Sequence, residues 1–350
     1  MNERKKVFFF VPSTIGGAER VTITIAKLLP TRNYDVHIIY VDENKGDLGK
    51  FVPDRLKTHT LGIRRVRDFA SLRILFFLLK EKPYAVFSSL QYLNVRLPLI
   101  AKLAGIKKIV IRNDIGWNSW IPLYKKIARL SFPCATSIIC QTEEMRDEFC
   151  TAFPTLKEKI ITIPNPLDID TITKRLNLAV NPYSHQGTKF VYAGRISYDK
   201  GLDVLIDAFA IVKKQDLNAT LSIVGEYNHI PEYYKSLLAQ VNRLGLNESV
   251  VFTGFQDNPY KYIKYADCLV LPSRREGNPN IVHEAMWIGV PVVATRSVPI
   301  VDRIVSPQRG FVVDVDDVEA LAEAMLKGCE MQINSKYDYS GGKTEFVDLF

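Results

Sequence analysis

Short runs of β-branched and aromatic residues alternate with longer helical segments along nearly the whole chain, and this alternation limits the fold more than any single motif. In the first half "KVFFFV", "VHIIYV", "AVFSS", "KIVIR", "SIICQ" and "KIITIP" read as strands; in the second, "KFVYAG", "TLSIVG", "VVFTG", "CLVLPS" and "PVVAT" do. Runs this apolar have no polar face for solvent, so they suit parallel strands covered by helices on both sides. Helices are predicted between them, for example over Ala18–Leu29 and Gly201–Lys214. Repeated β–α units of this kind predict an α/β protein with two Rossmann-like, doubly wound parallel sheets facing a cleft. A chain of 350 residues is also long for one core. The seam is expected within Ile163–Lys189, which is rich in Pro, Asn and polar residues. That gives domains at 1–165 and 166–330, with a polar tail at 331–350 that can form a short closing helix.

The formal charge of +8 asks for an anionic partner: nucleic acid, anionic lipid or a phosphorylated small molecule. Nucleic acid is disfavoured, because the basic residues cluster beside aliphatic stretches without a recognition module. Cys134, Cys140, Cys150, Cys268 and Cys329 are an odd set without tight spacing, as expected of reduced thiols in the cytoplasm. No CxxC or HxxxH spacing supports a metal site. At the N-terminus the apolar run Val7–Val11 is ended by Pro12, and it reads as a first buried strand rather than a signal peptide. "ILFFLL" at Ile74–Leu79 is too short to span a bilayer, so a soluble or peripheral protein is expected.

Three loops following strands carry candidate chemistry. In "PSTIGGAERV", Gly16 and Gly17 directly precede a helix, where they allow a tight turn and let an anion approach free N–H groups. A ligand-free turn explains them equally well. In "YAGRISYDKG", Arg195 and Lys200 lie between Gly194 and Gly201, and two cations at a strand end can neutralise a diphosphate. Solvated surface charge is the plainer alternative. In "SRREGNPNIVHEAMWIGVPVVAT", Pro279 is expected as the first helical residue with Asn278 as its cap. The N–H groups of Asn280 and Ile281 would then meet an oxygen anion, and Glu284 lies roughly 7–8 Å down the axis. This spacing fits a nucleoside diphosphate, with phosphates at the helix start and ribose hydroxyls on Glu284. Glu276 can accept hydrogen bonds from the hydroxyls of whatever the diphosphate carries. An acidic first turn accounts poorly for Glu284, which lies beyond that turn in an apolar segment.

The stretch "EGNPNIVHE" resembles the E-x7-E motif of glycosyltransferase family 4, retaining enzymes of the GT-B fold. "GGAERV", "IPNPLD", "GRISYDKG", "VVFTGF" and "RGFVVDVDDVEALAEAM" agree in order over most of the chain. The resemblance implies that Arg195 and Lys200 clamp the donor diphosphate, Glu284 holds the ribose and Glu276 contacts the donor sugar. Gly277, Asn278, Pro279 and Asn280 would lie near sugar and phosphate. Val251–Phe255, with Gly225 and Glu226, would border the base. Gly16 and Gly17 would approach donor phosphates and acceptor from the first domain. Many relatives place a histidine near the donor sugar, whereas "VIRNDIGW" offers Arg112, Asn113 and Asp114, of which Asp114 is expected nearest the anomeric carbon.

A metal-independent transfer follows, because two cations and a helix start can stabilise the leaving diphosphate. "DVDD" at Asp314–Asp317 is expected to cap a helix, and "GGKT" at Gly341–Thr344 lacks the first glycine of a phosphate loop, since Tyr337 stands there. No cofactor is expected. Arg64, Arg65, Arg67 and Arg73 beside Phe69, Phe76 and Phe77, with Lys107, Trp117, Trp120, Tyr124, Lys125, Lys126 and Arg129, suit docking on an anionic bilayer. The acceptor is therefore expected to be a polyprenyl-diphosphate saccharide in surface polysaccharide assembly, on the inner face of the cell membrane, with UDP as the donor's nucleotide. A nucleotide-sugar epimerase and a non-catalytic two-lobed binding protein are the competing classes.

Overall fold

Both series of apolar runs become all-parallel sheets. A computed structural model of the chain describes residues 4–12, 16–42, 47–63, 70–184, 186–226, 231–333, 337–339 and 341–350. Strands β1 (Lys5–Val11), β2 (Tyr34–Tyr40), β3 (Lys57–Thr60), β4 (Ala85–Ser88), β5 (Lys108–Arg112), β6 (Ser137–Cys140) and β7 (Ile160–Thr162) form a sheet in the order 3-2-1-4-5-6-7. Strands β8 (Lys189–Ala193), β9 (Thr220–Val224), β10 (Val250–Gly254), β11 (Cys268–Leu271), β12 (Val292–Thr295) and β13 (Gly310–Val313) form the second, in the order 10-9-8-11-12-13.

The chain divides into two compact units, Met1–Leu167 with Ser340–Phe350, and Asp168–Tyr339. In the first, successive β1 side chains point to opposite faces. Val7, Phe9 and Val11 pack with the helix Gly17–Leu28, while Phe8 and Phe10 pack with Ile74, Leu78, Leu97 and Ile100. Both faces are covered, which is why the strand reads as an unbroken apolar run. β3 and β13 have no such run: each is a short edge strand, "KTHT" or "GFVV", with partly exposed residues. Burial of both faces is what writes β1 into the sequence, and β3 and β13 lack it.

The chain returns to the first unit at its end. A six-residue helix, Lys343–Asp348, packs on the helix Gly17–Leu28. Phe346 is fully buried, and the Phe350 ring lies 5.6 Å from Phe9. "GGKT" thus belongs to a helix start, with Gly342 as its N-cap. Phe346→Ala should destabilise the first unit by about 3–5 kcal/mol, the usual cost of emptying a buried phenylalanine site. Chemical denaturation followed by intrinsic fluorescence of Trp117 and Trp120, both in that unit, would report it.

Candidate functional site

The order of the second sheet reverses between β8 and β11, and open parallel sheets bind ligands beyond the carboxyl ends of strands at such a reversal. The two loops that leave this point are 194–201, after β8, and 272–279, after β11. They carry Arg195, Lys200, Glu276 and the start of the helix Asn280–Ile288.

Arg274 joins the two loops. Its guanidinium donates to both carboxylate oxygens of Asp203, at 2.9 and 2.7 Å, to the Tyr198 carbonyl at 3.0 Å and to Asp316 at 2.7 Å. It also lies 4.2 Å from the Tyr198 ring centre, and the Arg274 backbone N–H donates to the Asp199 carbonyl. Burial opposes ionisation of Asp203, but the hydrogen bonds from Arg274 and Tyr233 outweigh it and hold the carboxyl below its ordinary range. A bidentate, largely desolvated pair of this kind fixes geometry as well as adding energy.

Within that frame Lys200 Nζ lies 2.7 Å from Glu276 Oε1, which also accepts from Ser273 Oγ at 2.6 Å. Glu276 Oε2 has no hydrogen-bond partner among the described residues. Arg195 is exposed, and its backbone carbonyl accepts from the fully buried Tyr192 hydroxyl at 2.7 Å. Gly201 is left-handed, with φ of 63°, and a Cβ there would stand 2.1 Å from the Pro272 carbonyl oxygen. At Gly225 a Cβ would stand 1.7 Å from the Gly194 carbonyl oxygen, so only glycine lets the ends of β8 and β9 meet. Gly225 N–H in turn donates to the Gly254 carbonyl, which leads to the exposed Phe255.

The helix after β11 starts one residue later than the sequence predicts. Pro279 is the N-cap and Asn280 the first helical residue, while the Asn278 side chain turns to His283 Nε2, at 3.3 Å, instead of capping. Gly277 and Asn278 are partly exposed before the helix, Ile281 is partly exposed in its first turn, and Glu284 is buried further down. The structure therefore brings Glu276, Lys200, Arg195, Gly277, Asn278, Pro279 and Asn280 into one pair of loops. Ser273, Arg274, Asp203 and His283 were not anticipated. The first three obey no spacing rule, but a lone histidine in the apolar stretch before Glu284 was a visible signal.

In the first unit the order reverses between β1 and β4. Gly16 is the extended N-cap of the helix Gly17–Leu28, which follows β1. Asp114 is partly exposed beyond β5. Its neighbours Arg112 and Asn113 are buried. Arg112 donates to Asn165 Oδ1, Gln141 Nε2 to the Asn113 carbonyl at 2.9 Å, and Asn94 Nδ2 to the Arg112 carbonyl at 2.8 Å. These side chains tie the carboxyl ends of β4 to β7 together. Trp117 and Trp120 are likewise interior. They pack with Phe132, Phe149 and Phe153, and Trp117 and Phe153 rings are 4.9 Å apart. Aromatic packing outweighs surface display at both positions.

Exposed apolar side chains occur elsewhere in this unit. Leu72, Phe76 and Leu79 on the helix Ala70–Glu81, Leu99 and Leu103 on Leu97–Leu103, and Ile121, Leu123 and Leu130 at Pro122–Ser131 are exposed. Phe77 packs on Phe8 instead. Arg64, Arg65, Arg67 and Phe69 lie outside the described residues. The helices pack in sequence, first against second and second against third. No helix of the described residues is long and apolar enough to cross a membrane. In "DVDD", Asp317 caps the helix Val318–Cys329, Asp316 binds Arg274 and Asp314 binds Arg296. Among the described residues no group of three or more His, Cys, Asp or Glu is arranged to hold a metal ion.

The family model described as Glycosyltransferase Family 4 matches residues 15–171, and that described as Glycosyl transferases group 1 matches residues 174–340. The chain belongs to glycosyltransferase family 4. Similar proteins include the capsular polysaccharide biosynthesis glycosyltransferase CapM of Staphylococcus aureus, 26% identical over 87% of this chain and 86% of CapM. An Escherichia coli relative, the UDP-Gal:alpha-D-GlcNAc-diphosphoundecaprenol alpha-1,3-galactosyltransferase, is 22% identical over 89% of this chain and 84% of its own. The chain spans only 56% of an uncharacterized glycosyltransferase of Methanocaldococcus jannaschii, at 28% identity over 70% of this chain. Among solved structures, Anabaena HepE in complex with UDP and glucose superposes with a TM-score of 0.77, at 21% identity, over 99% of this chain and 94% of HepE. The fold of this family 4 chain is GT-B.

His283 also makes the second unit acid-sensitive. Burial pushes its imidazole down to about 4 from an ordinary 6.5, so the unfolded chain takes up the proton first as pH falls. The stability tied to neutral His283 is whole above about pH 6.5 and is lost toward pH 4, by at most about 3 kcal/mol. Melting curves across that window should fall for the native protein and be flatter for His283→Gln.

Proposed function

We propose that this family 4 member is a retaining, metal-independent glycosyltransferase that moves a sugar from a UDP-sugar to a polyprenyl-diphosphate-linked saccharide in surface polysaccharide assembly. The observation that carries this reading is the Lys200–Glu276 pair, held by the Arg274 clamp at the reversal point of the second sheet. A cation and a carboxylate in contact suit a ligand that needs both, a diphosphate for Lys200 and sugar hydroxyls for Glu276. Lys200 would exchange its carboxylate for phosphate oxygen, and Arg195 would join it. Breaking the sugar–diphosphate bond sends its electron pair to the phosphate oxygen, where both cations and the helix start at Asn280 stabilise it. The acceptor hydroxyl oxygen forms the new bond to the anomeric carbon, and its proton passes to the departing phosphate oxygen. Asp114 is assigned as the polar group nearest that carbon, and Gly16 and Gly17 as the turn that admits donor phosphates and acceptor. Glu284 takes the ribose, and Gly225 and Phe255 border the base.

The choice of UDP is supported by the UDP in HepE and the UDP-Gal in the E. coli relative's name, and the acceptor by the diphosphoundecaprenol in that same name. Location on the cytoplasmic face of the membrane is supported by the exposed apolar residues of three helices, among which Lys80, Lys102, Lys126 and Arg129 are interspersed. Phe76→Ser together with Leu103→Ser should release the protein from phosphatidylglycerol vesicles at low salt while leaving its melting temperature nearly unchanged. A protein that ignores such vesicles before substitution would contradict the membrane assignment.

Two substitutions test the donor site, with UDP titrated calorimetrically in EDTA and transfer assayed with a diphosphoundecaprenol-linked sugar. Glu284→Ala removes a hydrogen-bonding carboxylate and should weaken UDP by roughly 10–100-fold. Glu276→Ala frees Lys200, so UDP affinity should hold or rise while transfer falls by about a hundredfold. Equal losses of UDP affinity in both variants would be incompatible with these roles.

A further inference from the structure

His283 is a buried histidine to which the reading above gives no task. An apolar residue would fill its place on the helix Asn280–Ile288 without two ring nitrogens to satisfy. Both nitrogens have partners: Nε2 lies 3.3 Å from Asn278 Oδ1 and Nδ1 lies 2.7 Å from the Tyr337 hydroxyl. An amide oxygen only accepts, so Nε2 carries the proton. The neutral ring then accepts at Nδ1, and Tyr337 donates. Burial keeps the imidazole neutral and pushes the Tyr337 hydroxyl up to about 12, so both ends hold their protons at neutral pH. Tyr339 packs on the ring at 4.4 Å, and the Arg309 guanidinium lies 5.1 Å from the Tyr337 ring centre. Hydrogen bonds therefore run one way, from Tyr337 through His283 to Asn278. They fix the Asn278 amide with its oxygen toward the helix, and its Nδ2 hydrogens have no partner among the described residues.

We propose that His283 is a positioning residue that aims the Asn278 Nδ2 hydrogens at the distal phosphate of the bound nucleoside diphosphate. The inference rests on the donor reading above. If Glu284 holds the ribose down the helix, the nearer phosphate lies toward the helix start and the distal one beyond it, level with Asn278. Two N–H donors suit a phosphate oxygen, which only accepts.

Two near-isosteric substitutions separate positioning from packing. His283→Gln keeps an N–H at the Nε2 position, facing Asn278, and gives up the contact with Tyr337. His283→Asn keeps a polar atom at the Nδ1 position and loses the contact with Asn278. Calorimetric titration should show UDP affinity about tenfold weaker in His283→Asn and within about threefold of the native protein in His283→Gln. UMP, which lacks the distal phosphate, should bind all three proteins alike. A long-range proton–nitrogen spectrum should show His283 as the Nε2–H tautomer, with His283→Gln assigning the resonance. Equal UDP losses in the two variants, a matching loss for UMP, or an Nδ1–H tautomer would each overturn this inference and leave the donor site standing. A native protein that does not bind UDP would overturn the donor reading, and this one with it.

Discussion

The clamp of Arg274 on Asp203 is the interaction on which the site depends. Sheet topology brings two strand ends together, but loops leaving a reversal point diverge unless something ties them. Four hydrogen bonds from one planar cation do so here, reaching a carboxylate from the first turn of one helix, a carbonyl in the loop beside it and an aspartate before another helix. Lysine could not replace it, since a single ammonium cannot satisfy partners in so many directions. The Lys200–Glu276 contact, only a few residues from each end of the clamp, inherits its geometry. Positions assigned to binding are thus separate from positions that hold the loops, and the latter obey no motif.

That division explains what was legible in the chain. Buried strands appear as apolar runs because both of their faces must be covered, and Phe8 with Phe9 shows both faces occupied in turn. The edge strands "KTHT" and "GFVV" need only one covered side and left too little pattern. Glu276, Arg195 and Lys200 could be picked out because charge beside glycine at strand ends is unusual, and Glu284 because it stands past the first helical turn in an apolar segment. Asp203 looked like any acidic first-turn residue, and its partner lies 71 positions away. Asn278 failed as a predicted cap for a related reason. Sequence shows that a capping residue is available but not that a histidine five positions on competes for it.

The first unit shows the opposite error. Tryptophan beside lysine and arginine invites a surface reading, yet Trp117 and Trp120 are buried among three phenylalanines while Lys125 and Arg129 lie over the outer indole, 5.6 and 6.0 Å from its ring centre. The cations cover the aromatic cluster rather than extend it. The apolar surface lies instead on helices with outward leucines, because periodicity does not say whether a neighbour will arrive to cover a helix face. Buried Arg112 tells the same story: a guanidinium near a strand end looked functional, and it serves to hold Asn165.

The return of residues 341–350 to the first unit gives the chain an unusual order of events. The second unit is encoded wholly inside the first, so a ribosome finishes it before it releases the phenylalanines that complete the first core. Phe9 and Phe87 are made early but gain Phe346 and Phe350 only after the whole second unit has been read. Until then the earlier-made unit has an apolar gap, and the later-made one has every residue it needs. Vectorial synthesis normally favours the N-terminal domain. Here it favours the domain in the middle.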